Sequence, residues 1–326
     1  MKAIVQEKYG SPDVLKLMEV AKPVPTDNQV LIKVYAASVN RSDWEGVTGK
    51  PLYARIGGLI KPKDKIPGSD IAGIVEAVGK DVRLFKPGDE VFGLMLNYAG
   101  GFAEYACKSE KGLTLKPAGM TFEEAAAIPQ AAFIALQGLH GKGQVQPGQK
   151  VLINGAGGGT GAYAIQLAKL AGAEVTGVDN AEKLDFMRTL GADHVIDYTR
   201  EDFTRNGQQY DLILDVIAQR SVFAYKRALK PNGRYFMAGG SVATLFQALL
   251  LGSWIGRRTG RKLSLLMVQT DAKDLVTIAE LIESGTVVTV IDKRYSLSET
   301  AEAIQYLGEG HARGKVVITV QPEDKN

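Results

Sequence analysis

The chain has 326 residues, 45% of them apolar and 23% charged, with a net charge of +3. That is enough for one large or two ordinary domains, and too close to neutral for charge alone to point to a nucleic-acid partner. A single cysteine, Cys107, excludes an intramolecular disulfide and any cysteine-rich zinc site. The opening MKAIVQEKYG has no apolar targeting core and no apolar run reaches membrane-spanning length, so a soluble, cytoplasmic protein is expected.

Residues 1 to about 120 read as β-rich. MKAIVQ, VLKLMEV, QVLIKVYAASV, DIAGIVEAVG, DEVFGLM and FAEYACK alternate or run apolar over short spans, separated by Pro-Gly and Asn/Asp turns. Such closely punctuated strands predict a small barrel. Residues 50–65 are irregular and basic, which predicts a solvated loop, with a lid over a cleft as the lesser reading. At Thr121 the period changes. Thr121 with Glu124 makes a capping box, and EEAAAI followed by AAFIALQGLH is helical.

Residues 150–180 hold the most informative stretch. The apolar run Val151-Leu152-Ile153 meets five glycines between Gly155 and Gly161, and apolar residues at helical spacing follow. Gly172 closes that helix, and a second strand ends in Asp179. Strand, glycine turn, helix, strand and acid is the layout of a dinucleotide-binding βαβ unit. Missing side chains let a phosphate reach the backbone, where the free N–H groups of a helix start meet its charge. Strands and helices then alternate: AEKLDFMRTLG and SVFAYKRALK as helices, HVIDY, YDLILDVI, RYFMAGG and LSLLMV as strands. Repeated βα units predict a parallel sheet with helices on both faces. Residues 242–256 with Arg257, Arg258, Arg261 and Lys262 are read as packing at a subunit interface or lining an apolar cleft, ahead of lying on a membrane surface. DAKDLVTIAELIES, VVTVIDKRYSL, ETAEAIQYLGEG and KVVITV end the chain as helix, strand, helix and strand.

With the glycine unit placed after a β-rich half, the chain resembles the medium-chain dehydrogenase/reductase superfamily, and within it the zinc-free quinone oxidoreductase-like branch. The motifs are SVNRSD (38–43), PGSDIAG (67–73), PGDEVFG (87–93), GFAEY (101–105), LGADHVIDY (190–198) and RGKVV (313–317). The resemblance implies an α/β chain with a GroES-like β-barrel domain at 1–122 and 272–326. A Rossmann doubly wound parallel sheet occupies 123–271.

No strict G-x-G-x-x-G register exists, because counting from Gly155 the last position is Thr160. The register Ala156-x-Gly158-x-x-Gly161 matches the branch's variant. It puts close backbone approach at Gly158 and Gly159 and helix packing at Gly161. Asp179 stands where a carboxylate accepts hydrogen bonds from a ribose and repels a 2′-phosphate, which favours NAD(H). Lys183 and Tyr198 match positions that hold the 2′-phosphate in NADPH-dependent relatives, and NADP(H) is slightly favoured on that ground. The resemblance also assigns Gly239 and Lys315 to the cofactor.

Zinc-dependent relatives place a Cys near Asn40 and a His-Glu pair near Ser69-Asp70, where this chain has Asn, Ser and Asp, so no zinc is expected. His140, His194 and His311 lack a second ligand at metal spacing. The resemblance sets Asn40 and Asp43 beside the nicotinamide, Asn40 donating through its amide and Asp43 orienting it. The same two residues also suit the cap of a helix starting before Trp44. Tyr53 is a candidate proton donor. Ile134 stands where relatives often carry a nicotinamide-facing Thr, which puts quinone specificity in doubt.

The expected activity is NAD(P)H-dependent hydride transfer to a quinone, an α,β-unsaturated carbonyl or another carbonyl. The alternatives are a zinc-free alcohol dehydrogenase and a low-turnover dinucleotide sensor or membrane-docking scaffold. The late strand at 263–268 is an edge candidate, so a homodimer is expected.

Overall fold

The computed structural model describes residues 1–56, 58–95 and 99–322; Gly57 of the 50–65 loop and the last four residues of the second barrel segment lie outside them. The chain divides into two compact units, 1–130 with 270–326, and 131–269.

The first unit opens with β1 (Lys2–Gln6) and β2 (Leu15–Glu19), an antiparallel ribbon. β3 (Gln29–Val39) runs straight into α1 (Arg41–Thr48), followed by β4 (Asp70–Val78), β5 (Glu90–Leu94), β6 (Tyr105–Ser109), β7 (Leu113–Leu115) and α2 (Phe122–Ala126). The second unit contains α3 (Pro129–Leu136) from Ala131 onward, then β8 (Lys150–Asn154), α4 (Gly159–Leu170), β9 (Glu174–Asp179), α5 (Leu184–Thr189) and β10 (His194–Asp197). It continues with β11 (Tyr210–Asp215), α6 (Val222–Ala228), β12 (Leu229–Met237), α7 (Val242–Thr259) and β13 (Lys262–Leu265). The chain then returns to the first unit through α8 (Ala272–Glu283), β14 (Ile291–Ser296), α9 (Thr300–Gly308) and β15 (Lys315–Thr319).

Among the described residues the first unit's larger sheet has the order β14-β15-β3-β4-β5-β7, with β6 also on β3. β3 is long enough to serve two neighbours in succession on one edge, and its register with β4 on the other edge shifts between Val34 and Ala36. Its first half pairs with β6 and its last four residues with β15. Bulges of this kind bend a strand and increase its twist, which wraps a sheet around its own core. That core holds Ile32, Val34, Ile71, Val91, Phe102 and Val316.

The second unit's sheet is wholly parallel, in the order β10-β9-β8-β11-β12-β13. Numbered from β8 this is 3-2-1-4-5-6, the doubly wound order, whose reversal point lies between β8 and β11. Val151, Leu152 and Ile153 are fully buried, as a parallel strand covered on both faces requires. Burying each such side chain contributes about 1.5–3 kcal/mol.

Two boundaries differ from the sequence reading. The second unit begins at Ala131 instead of 123, because α2 belongs to the barrel: Phe122 stacks on Tyr35 at 4.6 Å, and Glu123 accepts from Thr319 at 2.6 Å. SVFAYKRALK is helical only to Ala228. Buried Leu229 turns extended and starts β12, and Pro231 to Gly233 fall within the strand at a shift in its pairing with β11.

Candidate active site

The carboxyl ends of β8 and β11 flank the point where the strand order reverses, and the glycine turn follows β8. Gly155 has φ +84°, a left-handed conformation, and a side chain there would also strike Val216. Gly158 is the N-cap of α4 in an extended conformation. Gly161 is the packing glycine, since a Cβ at that position would run into the backbone of Ala156. Ala156 itself is fully buried, whereas Gly158, Gly159 and Thr160 are half-exposed. The first N–H groups of a helix have no partner within it, so this end of a three-turn helix presents free donors to an anion. Gly239 lies after β12, and its carbonyl accepts from the Ala218 N–H at 2.9 Å.

Asp179, at the end of β9, is turned toward that loop. Its Oδ2 accepts the Gly157 N–H at 2.9 Å and its Oδ1 accepts the Asn180 N–H at 2.9 Å. Lys183 Nζ stands 3.7 Å from Oδ1, and both side chains are buried. A Cβ on Gly157 would meet Lys183 Cδ at 2.5 Å, so this glycine exists to let the pair close over the loop. The sequence reading set Asp179 and Lys183 against each other; the structure joins them as one ion pair. Tyr198 is half-exposed and its N–H donates to the Asp179 carbonyl at 3.1 Å, which ties its backbone to the end of β9.

Beneath the turn lies a second buried acid, Asp215 at the end of β11. Its Oδ1 accepts from Asn154 Nδ2 at 2.8 Å and from the Ile217 N–H at 3.1 Å, and its Oδ2 from the Tyr235 hydroxyl at 3.2 Å. Tyr225, stacked on Tyr235 at 4.3 Å, adds a further hydrogen bond. Burial pushes the carboxyl up to about 6, and the hydrogen bonds from Tyr225, Asn154 and Ile217 oppose the rise.

In the first unit, Asn40 is the N-cap of α1 and Asp43 its third residue, and together they form a capping box. Around them gathers a buried cluster. Asn40 Nδ2 donates to Ser69 Oγ at 2.9 Å and to Asp70 Oδ2 at 2.7 Å, and Lys315 Nζ donates to Asn40 Oδ1 at 2.6 Å. The cation on one side and the carboxylate on the other fix which amide atom is oxygen. Asp70 also accepts from Ser38 Oγ at 3.0 Å and the Gln130 N–H at 3.2 Å, and lies 3.6 Å from Lys315. Asp43 Oδ2 accepts the Asn40 N–H at 2.7 Å and Ser69 Oγ at 2.8 Å. Its Oδ1 is buried without a hydrogen-bond partner. Burial is the largest cause that lifts the Asp43 carboxyl to about 7. Burial also raises Asp70 and lowers Lys315, and each is pulled back by the other's charge.

These contacts correct three expectations. Both amide hydrogens of Asn40 are engaged inside the cluster, so that amide has no donor left for a substrate oxygen. Asp43 orients the Asn40 side chain only through Ser69. Lys315, assigned to the cofactor, is 2% exposed with its ammonium held by Asn40 and Asp70, and belongs to the barrel cluster instead. Tyr53 sits half-buried on the short turn Leu52–Arg55, and Ile134 is half-buried on α3. His194 pairs with Glu174 at 3.0 Å on the surface. Sequence reasoning missed Ser38 and Asp215. The signal for Asp215 was present, since YDLILD ends a buried strand in an acid just as EVTGVD does.

Comparisons with known proteins agree with this architecture. Residues 26–137 match the alcohol dehydrogenase GroES-like domain, and residues 190–318 match a family described as zinc-binding dehydrogenase. The chain is 36% identical to a 2-methylene-furan-3-one reductase of Solanum lycopersicum, over 98% of this chain and 79% of that one. With the same coverage it is 34% identical to a chloroplastic NADPH-dependent alkenal/one oxidoreductase of Arabidopsis thaliana. A solved structure of the quinone oxidoreductase from Coxiella burnetii superposes with a TM-score of 0.89 at 31% identity, covering 98% of this chain and 99% of that one.

Proposed function

The chain belongs to the medium-chain dehydrogenase/reductase superfamily, in its quinone oxidoreductase-like branch, and from that premise we propose a zinc-free NAD(P)H-dependent reductase of quinones and α,β-unsaturated carbonyls. The observation that carries the reading is the half-exposed turn at Gly158 to Thr160, opening α4 beside the reversal point of the parallel sheet. The N–H groups of Gly159, Thr160 and Gly161 would hold the dinucleotide's phosphates, and Gly239 lies on a neighbouring loop. The bound nicotinamide supplies the hydride.

The donor set speaks against zinc. Asn40, Ser69 and Asp70 offer one amide, one hydroxyl and one carboxylate, and the Lys315 ammonium already sits against the first and third. Zinc prefers thiolate and imidazole, and an ammonium in contact with two would-be ligands repels a second cation. In this reading Asn40 and Asp43 rigidify the junction of β3 and α1, where burial raises the Asp43 carboxyl to about 7. Tyr53 is the residue assigned to donate the proton that follows the hydride; Tyr53→Phe should lower kcat and leave the KM for the nucleotide unchanged.

NADP(H) is preferred over NAD(H) because the Asp179 charge is offset by Lys183 and its oxygens are engaged by the loop, which removes most of its repulsion for a 2′-phosphate. β13 ends the parallel sheet, and pairing of that edge across a two-fold axis would make a homodimer. A monomeric mass by light scattering would refute the dimer.

The deciding experiment is loss of NAD(P)H absorbance against a panel of quinones and enals, run with calorimetric titration of both nucleotides. Turnover of an enal or quinone with tighter NADPH binding is expected. If both nucleotides bind and no substrate consumes either, the protein is a dinucleotide sensor. If NADH binds tighter and Asp179→Ser reverses this, the carboxylate governs the ribose after all.

A further inference from the structure

One surface of the second unit has no part in this chemistry. On α7 the residues facing outward include Phe246, Leu249, Leu250 and Trp254, with Leu250 74% exposed. The opposite face, Thr244, Ala248, Gly252 and Ile255, is buried. From Phe246 to Trp254, about two and a half turns, the helix therefore shows an apolar stripe to the outside. Single exposed apolar residues are ordinary, whereas a contiguous stripe marks an interaction surface.

The charge carried by the helix and the chain on either side of it is of one sign. α7 contains no acidic residue, and none occurs anywhere between Asp215 and Asp271. Arg257 and Arg258 are exposed at the helix C-terminus, and Lys262 is exposed just beyond it. Arg258 lies over the Trp254 ring at 4.6 Å, so the apolar stripe and the basic end form one surface. The nearby basic residues differ: Arg220 pairs with Asp202, and Lys230 with Asp211.

We propose that α7 docks the protein on an anionic lipid surface, lying in the plane of the interface with its stripe in the acyl boundary and Arg257, Arg258 and Lys262 among the headgroups. The charge decides between occupants. A second copy would set the same patch against itself about a two-fold axis, where its cations would meet no acid. An anionic bilayer complements both halves of the surface, the aromatic and aliphatic side chains and the cations. The helix is too polar to cross a bilayer: among the described residues no helix is long and apolar enough. Binding is therefore peripheral and reversible, and each cation near the surface strengthens it about five-fold.

Flotation of the full chain with phosphatidylcholine vesicles, with and without phosphatidylglycerol, tests the idea independently of any substrate. The protein should float with the anionic vesicles and be released by high salt, because screening shortens the reach of its charges. Arg257→Gln with Arg258→Gln should weaken partition about 25-fold and leave NAD(P)H oxidation unchanged. Leu250→Ser with Trp254→Ser should abolish it. Brominated phosphatidylcholine mixed into the anionic vesicles should quench tryptophan emission in the wild type and not in Trp254→Phe. Equal flotation on neutral and anionic vesicles, or none on either, would overturn the proposal. So would a light-scattering mass that falls from dimer to monomer in the Leu250/Trp254 variant, since the face would then belong to a second copy.

Discussion

Each unit buries an aspartate close to its candidate site, and the two are held by different means. Asp215 is fully buried with no cation in its shell, yet neutral donors reach both of its oxygens. Asp43 shares its cluster with Lys315, yet only one of its oxygens is bonded and the other is an orphan. Burial raises Asp215 to about 6 and Asp43 to about 7. The cation in its cluster does not keep Asp43 low, because Lys315 makes its own contacts to Asn40 and Asp70, and the Asp70 charge also raises the Asp43 carboxyl. The two sites differ accordingly: Asp215 anchors the loop beside the glycine turn, whereas Asp43 keeps one buried oxygen without a hydrogen-bond partner among the described residues.

The strongest way to break this comparison is to remove the cation. Lys315→Met leaves Asp70 buried without its counter-charge, and should cost about 3–5 kcal/mol in urea unfolding at pH 8. A loss below about 1 kcal/mol would mean that Asp70 is neutral and that the cluster has no ion pair. Asp215→Ala should cost about 2–3 kcal/mol, because Asn154, Tyr235 and the Ile217 N–H lose their acceptor in a buried place. If the two variants lose equally, saturation by neutral donors and pairing with a cation are equivalent here.

Beside Asp215, raised to about 6, and Glu45, raised to about 7, Asp43 supplies one share of the pH dependence. Its folded pKa is raised, so the stability it contributes is complete below about pH 4 and lost as pH rises through about 7. Asp43→Asn should reduce that slope between pH 5 and pH 8 in thermal melts, as a neutral side chain has no proton to lose, and leave the shares of Asp215 and Glu45. At pH 8 the variant should be the more stable by roughly 2 kcal/mol, less than the full linkage because Asn40 N–H and Ser69 lose a charged acceptor. A wild type whose midpoint does not move across this range would place the proton elsewhere. The smallest effect concerns a fourth buried acid. Lys183→Ala exposes the Asp179 charge to the nucleotide and should weaken NADPH binding about ten-fold relative to NADH. An unchanged ratio in calorimetry would detach the pair from cofactor choice.

The period of apolar residues made most elements legible in the sequence: 2 in the first half, 3.6 mixed with short buried runs in the second. Errors fell at boundaries, where Phe122 and Leu229 obey packing partners far away in the chain. The glycine turn was legible because its chemistry is local; Gly155, Gly158 and Gly161 act on residues within a few positions or on the strand next to them. Asp179 and Lys183 were both named from the sequence, but not as partners of each other. Four residues apart, they say nothing in sequence about whether they face a ligand or each other.

By itself the sequence determined a β-rich unit followed by a parallel βα unit, a glycine turn opening a helix, and an apolar helix with a basic end. Each of these rests on spacing that neighbouring residues enforce. Tertiary structure alone decided the barrel cluster. Ser38 faces Asp70 because β3 and β4 pair in that register, and Lys315 joins them because β15 pairs with the last residues of β3. Register between strands so distant in the chain follows from how two sheet faces bury their apolar sets, and no local pattern reports it. The structure therefore turned Lys315 from a cofactor contact into a buried counter-ion, and Asn40 from a donor to substrate into the amide that joins a cation to an acid.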